Sequence, residues 1–218
     1  MQVRHRVVEE REAGAGAASP LGGLLPGGWI RPGTAVSAGT DLPLLLALAA
    51  LATAGTAAWA AVDVPELGAL AAAQAGLDLA TGLVVSDPGP RVAQVLGALL
   101  ESVPVVLVGS AVRIPDRAVR RLRALMRRSG SVLLAQGGWP GAEVQLSVTS
   151  AGWEGVSRGH GLLRGRRVTV TAGGRGAAAR PRQTELWLPG PDGLVGVVER
   201  PAEEALVDER RAGLRVVG

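Results

Sequence analysis

The sequence predicts an α/β fold, with a mostly parallel central sheet flanked by helices and an antiparallel extension at its C-terminal end. Three observations carry this expectation. Short unpatterned apolar runs at 57–62, 82–86, 105–109 and 131–136 read as strands buried on both faces. Helical stretches at 66–75, 90–102 and 116–129 separate them, the alternation that parallel strands with right-handed crossovers require. After Gln136 the texture changes to alternating segments at 144–149, 167–171 and 184–188, parted by Gly- and Arg-rich turns at 159–165 and 173–182. Half-exposed antiparallel strands have that pattern.

The first unit in chain order is a strand, a glycine turn and a helix over 33–46, GTAVSAGTDLPLLL. The stretch from Leu42 to Val62 carries no charge and is long enough to raise a membrane span. Pro43, Thr53, Gly55 and Thr56 interrupt it, so it is read as a helix over 42–53, a turn at Gly55 and a buried strand. The clearest helix is 116–129. Val119, Leu122, Leu125 and Met126 form one apolar stripe, Pro115 and Asp116 open it, and Gly130 closes it. A short strand is expected at 194–198, with mobile chain beyond Glu199 until 214–217. The domain reading is a flexible segment 1–24, one domain over 25–188 with its antiparallel extension from about 142, and a tail over 189–218.

At 218 residues the chain can bury one good core. Cysteine is absent, which excludes disulfides, thiolate zinc sites and cysteine nucleophiles. Five tryptophans are the only aromatic side chains apart from two histidines. Every other basic side chain is arginine, and the abundance of Ala, Gly, Arg and Val points to a GC-rich coding sequence. A net charge of +4 permits nucleic-acid contact without requiring it. Residues 1–16 are charged rather than apolar, so no secretory signal is read and a cytoplasmic location is expected. His5 and His160 are expected to be solvated, with no metal site. Ser37, in an A-x-S-x-G context, resembles a nucleophile elbow. Too few strands precede it, and His160 is its only candidate base, so it is read as a turn serine.

Several segments in order resemble the RecA-like ATPase core. AAWAAVD (57–63) is similar to the strand after the phosphate-loop helix. AAAQAGLDLATGLVVSDP (71–88) and VLGALLESVPVVLVGSAV (95–112) resemble the next helix–strand units, the second carrying the Walker B position. SVLLAQGG (131–138) resembles the strand that ends in a sensor glutamine, here Gln136. RGRRVTVTAGGRGAAARPRQTELWL (164–188) resembles the closing hairpin, and LPGGWIRPGTAVSAG (25–39) is similar to the opening of the ImuA and ImuA-prime branch. The resemblance implies an accessory factor of damage-induced mutagenesis (translesion DNA synthesis in the SOS response). Its implied partner is an ImuB-type Y-family polymerase homologue, with RecA and an error-prone replicative-type polymerase in the same assembly.

The departures from that pattern carry the functional expectation. A phosphate loop, G-x-x-x-x-G-K-[ST], rings phosphates with backbone N–H groups and adds a lysine and a hydroxyl. Here Gly39, Thr40 and Asp41 lead directly into Leu42-Pro43-Leu44. Asp41 would repel a phosphate, since like charges brought to about 4 Å cost on the order of 1–4 kcal/mol. At the Walker B position stands Gly109, while Asp63 and Glu66 lie near where the family places a catalytic glutamate. With clamp and metal ligand both missing, no ATP hydrolysis and no bound cofactor are expected. Only 137–143 separate Gln136 from the next strand, too short for a loop that threads single-stranded DNA.

Arginines supply the candidate contacts. Arg117, Arg120, Arg121, Arg123, Arg127 and Arg128 cover the helix face opposite the apolar stripe, and Arg158, Arg164, Arg166, Arg167, Arg175, Arg180 and Arg182 crowd the extension, in the same region as Trp153 and Trp187. Guanidinium forks suit phosphates and acidic partners alike. The reading is a non-catalytic RecA-like protein that docks on the polymerase homologue. An arginine-rich DNA-binding module and a SulA-like cell-division inhibitor are the alternatives.

Overall fold

The computed structural model describes residues 19–53, 57–157 and 160–198. His5, the segment 1–18, the turn at Gly55 and the tail beyond Val198 lie outside the described residues. The described strands form one mixed sheet: β1 (Ala35–Ser37), β2 (Trp59–Val62), β3 (Gly82–Val85), β4 (Val105–Val108), β5 (Val132–Ala135), β6 (Val144–Ser157), β7 (His160–Gly174), β8 (Arg182–Trp187) and β9 (Gly196–Val197). Their spatial order is β3-β2-β4-β5-β1-β6-β7-β8-β9. Pairing is parallel from β3 through β6 and antiparallel from β6 to β9.

Among the described residues four α-helices cover the parallel part: α1 (Leu42–Thr53), α2 (Ala69–Gln74), α3 (Val92–Ser102) and α4 (Asp116–Ser129). The pleat sends alternate residues to opposite faces, and both are filled. Val36, Trp59, Ala61, Leu107 and Leu134 pack with α1 and with Leu21 and Leu24. Ala60, Val62, Val106 and Leu133 pack with Leu96, Leu99 and Leu100 of α3 and with Leu122, Leu125 and Met126 of α4. That is why these short strands read as unbroken apolar runs. Among the described residues no helix is long and apolar enough to cross a membrane.

Three elements differ from the sequence expectation. β3 is an edge strand whose Leu83 and Val84 are exposed, not a strand buried on both faces. The helix expected over 66–75 begins only at Ala69. The turn expected at 159–165 is largely strand, because β6 and β7 run on together for 14 and 15 residues.

β1 lies between β5 and β6, inside the sheet. From its end α1 departs over one face. The loop 137–143 leaves the end of the adjacent β5 and buries Trp139 and Ala142 in the other face's core. In open α/β sheets, strand ends whose connections diverge in this way form the crevice where ligands bind.

Candidate functional site

At that crevice the turn 38–41 is tied down by its neighbours. The Ala38 N–H donates to the Ala135 carbonyl at 2.9 Å, continuing the β1–β5 pairing. The Ser37 hydroxyl donates to the Gly137 carbonyl. Its proton is thus engaged by the backbone, and the side chain is buried. The Gly137 N–H donates to the Gly39 carbonyl, and Gln136 Nε2 donates to the Thr40 carbonyl at 3.3 Å. Gly39 has φ of +58°, and a Cβ there would stand 3.1 Å from the Leu146 carbonyl. Glycine is needed at this turn both for its handedness and for the approach of β6.

Asp41 caps α1. Its Oδ1 accepts the Leu44 N–H at 3.0 Å, the pattern of an N-cap acid three residues before its donor. Its Oδ2 accepts from Arg166 Nη2 of β7 at 2.6 Å, and the two side chains are 13% and 15% exposed. The positive end of α1, which in a phosphate loop faces the phosphate, here faces a carboxylate of the same chain. Arg166, expected among the surface contacts, is inside and committed to Asp41. Gln136 is also buried, and its Oε1 has no hydrogen-bond partner among the described residues.

At Gly109, at the end of β4, the backbone leaves room for no side chain. The Asp63 carbonyl lies where a Gly109 Cβ would go, 1.6 Å from it, and the Gly109 N–H donates to the Val62 carbonyl at 2.9 Å. Asp63 has a left-handed φ of 53°, which turns the chain out of β2 across Gly109. Its side chain is half-buried, whereas Glu66 and Asp78 are exposed. Among the described residues no cluster of His, Asp and Glu could hold a metal ion.

Residues 23–141 match the family described as MT3502 N-terminal domain. The chain belongs to that family. The matched region runs from before β1 to the loop after β5, so it contains the tied-down turn, Gly109 and Gln136 but not Arg166. The chain is also 32% identical over 184 residues to the uncharacterized protein Rv3395c of Mycobacterium tuberculosis, an alignment spanning 79% of this chain and 90% of that protein.

The arginines fall into three sets. On α4, Arg117, Arg120, Arg121, Arg127 and Arg128 are exposed, whereas Arg123 is half-buried and donates to the Gly141 carbonyl at 3.1 Å. Arg123 thus anchors the loop after β5 rather than joining the outer face. Arg167 pairs with Glu154 at 2.9 Å, and its guanidinium lies 5.7 Å from the Trp187 ring centroid. Arg164, Arg175 and Arg180 are exposed and Arg182 is half-buried, on the other flank of the molecule. The side chains of Arg158 and His160 lie outside the described residues. The structure therefore does not gather the arginines into one surface. It separates a helical face from an extended one and withdraws Arg166 and Arg123 into the fold.

Sequence reading missed the Asp41–Arg166 pair, since no local signal links residues on different elements. Substitutions at the pair and at Gly109 test this geometry. Asp41→Ala removes a cap and leaves a largely buried guanidinium unpaired, so denaturant unfolding should show a loss of about 3–5 kcal/mol. Arg166→Ala should cost a similar amount, and the double variant should cost less than the sum of the two by about 0.5–3 kcal/mol. Gly109→Asp must push the Asp63 carbonyl aside and should destabilise by about 3 kcal/mol or more.

Proposed function

We propose that this protein is a RecA-like pseudo-ATPase that serves damage-induced mutagenesis as an interaction module, docking on an ImuB-type Y-family polymerase homologue in the cytoplasm. The observation that carries the reading is the carboxylate of Asp41 at the helix end where a nucleotide's phosphate would sit, held there by Arg166. A phosphate brought to that position would have to displace Asp41 both from the Leu44 N–H and from the Arg166 guanidinium. Gly109 adds to this, because a metal-binding aspartate has no space at its position. The sheet then acts as a rigid frame, and its uses lie on its surfaces.

One surface fits protein docking. β3 is the edge strand, and Leu83 and Val84 stand about half-exposed on its opposite faces, with Leu70 and Leu79 exposed on the neighbouring segments. An edge strand flanked by apolar side chains can take an added strand from a partner, with backbone hydrogen bonds supplying affinity and the side chains specificity. We assign the polymerase contact to this edge. Mass photometry of the purified chain with the polymerase homologue should show a complex at micromolar concentration, and Leu83→Glu should weaken it at least about tenfold. No complex with the unmodified chain would refute the docking reading, and a complex indifferent to Leu83→Glu would move the contact elsewhere.

A further inference from the structure

The β6–β7 hairpin extends well beyond the sheet. β1 pairs with β6 only at Val144 and Gln145, and β8 pairs with β7 only from Arg167 to Ala172. Arg166 is the last residue of β7 held from outside, by the Leu188 N–H and the Pro189 carbonyl. Beyond the Trp153–Arg166 pair no other described strand is paired with either, while Trp187 and Pro191 stand against the ribbon at Gly165. At about 3.3 Å per residue the described part of β6 beyond that pair, 154–157, runs for about 13 Å. A two-stranded ribbon has no interior and cannot bury its own side chains.

The outer part of this arm carries apolar groups nonetheless. Leu162 is 81% exposed, Leu163 59% and Trp153 55%. A bulge presents the leucines. Glu154 pairs with Gly165 and Val156 with Gly161, so Leu162, Leu163 and Arg164 oppose the single residue Gly155. Gly155 has φ of +104°, and a Cβ there would lie 2.1 Å from the Leu162 carbonyl. Only glycine lets the bulged strand come this close, so the display of the two leucines is built into the backbone.

The charge around the arm is one-sided. From Val144 to Gly174, the two strands of the arm and their turn, the sequence has four arginines and one acidic side chain, Glu154. Glu154 is taken by Arg167, and Arg166 is taken by Asp41. Arg164, beside the leucines, is exposed and makes no ion pair among the described residues. A narrow ribbon of this charge has the form that enters a DNA groove, and the leucines of its bulge, opposite Gly155, have the chemistry of a wedge between base pairs.

We propose that the arm binds duplex DNA, with Arg164 on the backbone and Leu162 and Leu163 inserted from the minor groove at a flexible step, bending the duplex. This goes beyond the docking function and does not depend on it. The test uses the full chain and an end-labelled duplex of about 25 bp with a central TA step. Anisotropy gives affinity against salt, and energy transfer between the ends gives the bend. The unmodified chain should bind with affinity falling steeply as salt rises, and should bring the duplex ends together. Leu162→Ala with Leu163→Ala should keep the salt slope, lose the bend and weaken binding about tenfold. Arg164→Ala should lower the salt slope by about 1. Absent binding at low salt, or a bend unchanged in the leucine variant, overturns the proposal. A leucine variant that binds and bends DNA normally but no longer captures the polymerase homologue would make the arm a protein-docking element instead.

Discussion

The organisation of the crevice rests on one charged contact, Asp41 with Arg166. It joins the start of α1, packed on one face of the sheet, to β7 in the antiparallel extension. A charge-assisted bond of this kind is stronger than a neutral one, and the near burial of both partners makes each dependent on the other. The carboxylate also caps the helix, so a single side chain satisfies an orphan N–H and offsets the positive end of α1. The turn before it is held by Ser37, Gly137 and Gln136, which leaves it few ways to open.

A second constraint lies two strands away. Asp63 crosses so close over Gly109 that the backbone has no place for any larger residue. The absence of lysine from the turn could follow from composition alone, since the whole chain lacks lysine. The Asp63–Gly109 approach cannot, because it is a matter of space. Charge at one position and sterics at the other therefore point the same way, by independent physics.

Much of the architecture was legible because it depends on local pattern. The stripe on 116–129 and its closing Gly130, in the left-handed conformation, match α4 and its C-cap. The apolar runs at 105–109 and 131–136 match β4 and β5, buried on both faces. β3 was misread because Leu and Val look alike in a central strand and at an edge. The arm was read short because its glycines signal turns, whereas here Gly155 and Gly161 serve a bulged ribbon. The candidate site was half visible: the turn, Gly109 and Gln136 stood out, but the partner of Asp41 comes from a distant strand that no periodicity connects to it. Arg166 looked like one more surface arginine, and only the fold separates it from Arg164 and Arg167.

Apart from the tied-down turn, the frame's remaining features face outward: an apolar edge at β3, an arginine face on α4 and the arm of β6 and β7. They lie on different elements, so the proposed polymerase contact and the proposed DNA contact do not compete for one surface. The pseudo-ATPase reading requires that the crevice take no nucleotide. The most direct measurement is isothermal titration of magnesium–ATP into the full chain, paired with thermal unfolding in its presence. No binding heat and an unchanged melting temperature are expected at millimolar nucleotide. Saturable binding with a raised melting temperature, as ligand linkage requires of any true site, would contradict that reading.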